Sequence, residues 1–181
     1  NVGVGNQALV ANTSGSSNVA LGHHTLFSNT TASGNTALGY QALRDTTGTG
    51  NTGVGFNNLA SNTTGTYNTA LGTEALSSST TASFNTAVGY RAMLFTTTGT
   101  GNTALGRSSL QTNSTGQYNT ALGFLSLVAN TTGADNTAVG SSALTANTTG
   151  FQNTAVGNDV LGYNTIGNDN VGVGYRCMLF N

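Results

Sequence analysis

The chain has 181 residues, of which 5% are charged and 36% apolar, and four basic side chains against five acidic ones leave a net charge of −1. That balance excludes the basic footprint of a nucleic-acid binder and the polybasic patch of a membrane-surface protein. Its low net charge and apolar content also exclude a disordered chain, and no apolar run approaches the roughly 20 residues of a membrane-spanning helix.

From the first residue onward one motif recurs. An Asn-Thr-Ala-Leu/Val-Gly block, or a close variant, begins at Asn1, Asn18, Asn35, Asn51, Asn68, Asn85, Asn102, Asn119, Asn136, Asn153 and Asn170. The spacing is 17 residues throughout, except for 16 between Asn35 and Asn51, where one residue is expected to be missing near Asp45. A fixed period of this kind marks a repeat architecture. Residues 1–181 therefore read as a single array of ten full units and a partial eleventh. The pattern is already running at the first residue, without a charged leader, so the array is expected to be a fragment of a longer fibre protein.

The unit reads N-T-A-[LV]-G-x-x-A-L-x-x-N-T-T-G-x-x, and its positions are numbered here as slots 1 to 17. Slot 4 is Leu or Val, slot 5 is Gly in all eleven copies, slot 9 is Leu or Met, and slot 13 is Thr or Ser. Every charged and every aromatic residue falls in slots 6, 7, 10, 11, 16 or 17. These variable slots are expected to face outward and the constant ones to build the framework.

A 17-residue unit is too short for a helical repeat, and its Gly and Asn-Thr-Thr-Gly stretches break helices. Slots 1–4 and 7–11 have strand length and are bounded by turn residues. Stacked in register at about 4.8 Å per coil, they predict an all-β parallel solenoid, a rod of roughly 50 Å. Asn in slot 1 and Thr in slots 2 and 13 should stack on their own copies and hydrogen-bond along it. Slot 5 should form a bend that needs positive φ or close backbone approach.

Neighbouring strand residues point to opposite faces, and slots 3 and 4, like slots 8 and 9, are both apolar. Each strand should then bury one face inside its coil, with the slot-4 aliphatic buried, and leave the other for a sister chain. The small Ala of slots 3 and 8 would permit close approach. A parallel homo-oligomer follows, and packing alone leaves two and three chains open.

Blocks such as Asn35–Asp45 (NTALGYQALRD) and Asn85–Phe95 (NTAVGYRAMLF) resemble the repeats of trimeric autotransporter adhesin heads. They are more similar still to the N-T-A-V-G-Y-Q-A-L arrays of tail-fibre-like proteins of bacteria and phages. The resemblance covers the whole chain. It implies a left-handed β-roll wound as a homotrimer, at a cell surface or on a virion, that mediates attachment to a host-cell glycan or protein receptor. The adhesin head repeat is shorter and reads N-S-V-A-I-G, so the turns here should be longer.

Catalytic, cofactor and metal sites are not expected. His23 and His24 should point apart, with no carboxylate or Cys in their coil. The Ser and Thr columns are explained by the repeat, Cys177 stands alone, and the Gly3 and Gly5 pair precedes no helix that could bind phosphate. Leu38 to Leu43 fits one hexapeptide of the acyltransferase helices, but the next aliphatic falls at slot 9 instead of slot 10. Asn12, Asn29, Asn62, Asn113, Asn130 and Asn147 head N-x-S/T sequons in slot 12. A turn Asn followed by a Thr ladder accounts for that column, and a row of glycans is the alternative. The candidate surface contacts are Tyr40, Phe56, Tyr90, Phe124 and Tyr175 in slot 6, joined by Tyr67, Phe84 and Tyr118 in slot 17. Their rings suit receptor binding or the filling of an inter-chain seam.

The expected function is that of a non-enzymatic, rigid attachment rod outside the cell. Two alternatives are an ice- or surface-binding solenoid, which would need a flat outward Thr array, and an end-to-end filament joined through unpaired strand edges.

Overall fold

The computed structural model describes residues 1–180. Eleven three-residue strands, from β1 (Val2–Val4) to β11 (Val171–Val173), form one parallel sheet whose spatial order is the chain order. Each strand occupies slots 2–4 and pairs in register with its copies one coil away, as Thr103 with Thr120 and Leu105 with Leu122. The chain is a parallel β-solenoid, without helix among the described residues. No helix is long and apolar enough to cross a membrane.

The short unit keeps its register. β3 (Thr36–Leu38) still pairs residue for residue with β4 (Thr52–Val54). The Thr47 N–H donates to the Thr63 carbonyl, a slot-13 pair, while Gly48 lies against Gly65, a slot-15 pair. The absent residue is therefore slot 14, between Thr47 and Gly48, and the strand register is kept.

Slots 7–11 were expected to form a second strand and do not. Slot 7 has φ between 50° and 58° in every coil and slot 9 between 46° and 54°, although slot 9 is Leu or Met. Left-handed residues two apart coil the segment into successive turns, which lets neighbours face the same way. Ala42 and Leu43, in slots 8 and 9, are both fully buried, an arrangement that strand alternation forbids. Each left-handed residue costs about 1–2 kcal/mol. Complete burial of a Leu side chain returns about 1.5–3 kcal/mol, so the slot-9 Leu can hold this conformation.

The first segment behaves as a strand, with the opposite sense from that expected. Slot 3 points inward: Ala20, Ala37, Ala70, Ala87 and their copies are fully buried and pack toward slot 9. Slots 2 and 4 point outward. Leu71, predicted to be buried, is 46% exposed, and Leu105 is 50% exposed. Ala in slots 3 and 8 consequently lies inside the coil and cannot receive a second chain. An interior only one Leu wide leaves room for a methyl, not a butyl group, on the facing strand.

At two rungs a neighbouring slot-8 side chain leaves no room for a methyl in slot 3. Gly53 replaces Ala in the coil that carries Asn58, and an added Cβ there would strike Asn58 Oδ1. Gly172 faces Val160, whose Cγ1 would lie 2.6 Å from such a Cβ.

Two asparagine columns close each coil. Asn102 in slot 1 donates from Nδ2 to the Gly116 carbonyl (2.9 Å), clasping the start of the coil to its end. Its Oδ1 accepts the Asn119 N–H of the next coil at 2.9 Å. The same pair of bonds recurs along the column, as at Asn35 and Asn136. Slot-13 hydroxyls donate onward too, Thr97 to the Ser114 carbonyl and Thr131 to that of Thr148, both at 3.0 Å. The expected ladders at slots 1 and 13 are present, whereas the slot-2 Thr instead stands on the outer face.

Candidate functional site

With the interior filled by framework, any contact chemistry lies on the outer surface, and the largest regular feature there is the sheet face. It carries two straight columns. Slot 2 supplies Thr on eight consecutive rungs, Thr36 to Thr154, and slot 4 supplies Leu or Val on all eleven. Rungs are about 4.8 Å apart and the columns about 6.6 Å apart, from the strand rise. No charged side chain interrupts them. The face was not anticipated, because the slot-2 Thr had been assigned to the framework.

Slot 6 follows the Gly5-type bend. That bend has φ between 125° and 141° in all eleven copies. At Gly89 an added Cβ would lie 2.6 Å from the Gly106 carbonyl oxygen of the next coil, so both conformation and space require glycine. Beyond it, Tyr40 and Phe56 stack face to face (centroids 5.2 Å apart), and His23 stacks on the far side of Tyr40 at 5.2 Å. Arg91 lies over Tyr90 at 4.9 Å, Arg107 over Phe124 at 5.5 Å and Arg176 over Tyr175 at 5.3 Å.

The five slot-6 rings thus share one column without forming one patch, since Thr73, Arg107, Ser141 and Asn158 separate them. Much of their ring surface is used within the chain. In slot 17, Tyr67 and Phe84 stack at 5.5 Å, and Tyr118 lies over Gly101, where an added Cβ would meet its ring at 2.7 Å.

Charges pair locally along slot 7. Arg91 Nε lies 2.6 Å from Glu74 Oε2, and Arg176 Nε lies 3.4 Å from Asp159 Oδ2. Partial dehydration, the neighbouring His23 and the Arg44 guanidinium hold the His24 imidazole below its usual value of 6.5. Among the described residues no three His, Cys, Asp or Glu side chains gather as metal ligands.

Five of the six sequon Asn lie inside the coil: Asn29, Asn62, Asn113, Asn130 and Asn147 are fully buried, whereas Asn12 in the first coil is half-buried. Asn130 donates to the Gly133 carbonyl at 3.0 Å and to Asn113 Oδ1 at 2.8 Å. Folded coils therefore offer these five Asn side chains to no glycosylating enzyme, and the turn-and-ladder account holds. A further surface feature, a cleft at Gly162, also escaped the sequence reading. Its signal was available, since Gly162 is the one glycine in slot 10. Comparison with family models, curated proteins and solved structures returns no match.

Proposed function

We propose that the chain is a rigid segment of an extracellular attachment fibre, assembled as a parallel homotrimer through the outer sheet face and wound as a left-handed β-roll. It acts mechanically, without catalysis, presenting variable outer slots to a glycan or protein receptor. The supporting observation is the outward Leu/Val column. Its side chains are about half exposed, so covering them gains about 1 kcal/mol per rung, or roughly 10 kcal/mol over the array. That is comparable with the roughly 4–15 kcal/mol cost of association. The partner that repeats with the same rung spacing in the same order is another copy of this chain.

Light scattering tests the reading. The expected mass is three times 18.1 kDa, and Leu71→Asp together with Leu105→Asp should release monomers whose hydrogen-bonded coils persist. A wild-type chain that stays monomeric at micromolar concentration refutes the inter-chain face. The outward Thr column from Thr36 to Thr154 favours the ice- or surface-binding reading in that event, and thermal hysteresis by the monomer would establish it.

A further inference from the structure

In two coils the slot-10 side chain covers the outside of the turn by bonding to slot 7. Arg44 Nη1 donates to Gln41 Oε1 at 3.3 Å, and the Thr145 hydroxyl donates to the Ser142 carbonyl at 2.7 Å. Gly162 has no side chain to do this, and a cleft of about 170 Å³ opens across three successive coils. Thr145 and Leu179, its slot-10 neighbours, bound the cleft along the rod. Ser142, Asp159 and Arg176 from slot 7 and Tyr163 from slot 11 complete the lining.

We propose that this cleft binds one ring of a neutral sugar. A cavity of roughly 150 Å³ accommodates a benzene-sized molecule, so a single six-membered ring fits. The Asp159–Arg176 pair is the loosest of the three ion pairs, 3.4 Å against 2.6 Å, and it is partly exposed. Carboxylate acceptors and guanidinium donors are therefore open to a ligand. A charged ligand would compete with one member of that pair for the other. Neutral hydroxyls avoid the competition, because each can donate to Asp159 and accept from Arg176. Tyr163 is held flat against Phe180 (centroids 4.9 Å apart, planes within 2°) and remains 60% exposed. It supplies a fixed apolar surface with a phenolic hydroxyl at its tip, as sugar rings require.

The inference names a ligand class for the attachment reading and rests on that reading only for its biological purpose. It is tested on the full chain by saturation-transfer NMR with the methyl glycosides of glucose, galactose, mannose and N-acetylglucosamine. At least one should give a saturable ring-proton signal with a roughly millimolar dissociation constant. Gly162→Leu restores a side chain like that of Leu94 in the same slot, and an added Cβ would meet only the movable end of Leu179, at 3.0 Å, and the Asp159 carbonyl at 3.4 Å. It should abolish the signal. Asp159→Asn, of nearly unchanged shape, should weaken binding at least about tenfold, while Thr64→Ala, at an exposed slot-14 position far from the cleft, should leave it unchanged. No saturable signal from any of the four, or a signal that survives Gly162→Leu, overturns the cleft. Light scattering keeps the two readings separate: a trimer that binds no sugar refutes this inference alone, and a monomer that binds sugar refutes only the assembly.

Discussion

Replacing Asn102 by Asp exchanges one atom of the coil clasp and should make stability fall as pH rises from mildly acidic to neutral. Asn102 is fully buried. Its Nδ2 donates to Gly116 O at 2.9 Å and Asn85 Oδ1 at 3.1 Å, while its Oδ1 accepts from Asn119 N at 2.9 Å and Nδ2 at 3.2 Å. In Asn102→Ala the Asn119 N–H loses its acceptor, a cost of roughly 1–3 kcal/mol, and three other bonds worth about 1 kcal/mol each disappear. Gly116 O keeps Asn113 Nδ2 and Asn85 Oδ1 keeps the Asn102 N–H, so no further orphan is added and the total should be about 4–6 kcal/mol.

Asn102→Asp retains the accepting oxygen but places a charged oxygen against the Gly116 carbonyl and Asn85 Oδ1. Burial and this acceptor pair raise the introduced carboxyl above its unfolded value of about 3.9. The folded state then binds the extra proton first, so stability is present below the unfolded value and lost as pH rises through the folded one. Protonated, the group donates to Gly116 O much as the amide did. Melting of wild type, Asn102→Ala and Asn102→Asp between mildly acidic and neutral pH checks this. The Asp variant should approach wild type in acid and the Ala variant should not. An Asp variant as stable as wild type at neutral pH, or unrecovered in acid, would show that the clasp does not hold the coil.

Gly89→Ala should cost at least about 3 kcal/mol, since strained φ and a backbone overlap add; hydrogen exchange should quicken mainly in the coils starting at Asn68, Asn85 and Asn102. Unchanged exchange would leave the glycine column without its physical cause. Gly53→Ala should destabilise by about 1–3 kcal/mol through overpacking against Asn58. Adding Asn58→Ala should recover at least about 1 kcal/mol of that loss, because Nδ2 and Oδ1 of Asn58 are buried without a protein partner. Additive effects in that denaturation cycle would disprove the packing link.

Period, parallel register and the glycine bend were legible because each rests on a residue type with one dominant use. Gly at positive φ, Asn closing the coil and Thr or Ser on a ladder recur eleven, ten or eight times, and recurrence converts a weak local preference into geometry. The left-handed slots 7 and 9 were not legible. Leu avoids positive φ, so no propensity rule places Leu43 or Leu127 there. Only the stacked interior, which buries that Leu completely in nearly every coil, outweighs the local cost.

The orientation of slots 3 and 4 shows where pattern reading stops. Alternation fixes that adjacent residues part, but not which of two apolar neighbours goes inside, and the larger hydrophobe is the natural guess. Here the interior width decides, and that width is set by slot 9. With Leu43 filling the coil, the facing strand can admit Ala37 but not Leu38. The close approaches at Gly53 to Asn58 and at Gly172 to Val160 of the preceding coil obey the same limit, since neither leaves room for a methyl in slot 3. The large aliphatics are therefore outside because the coil is too narrow for them. Interior width does not account for their persistence as Leu or Val on all eleven outward rungs, and the covering sister chain proposed above would.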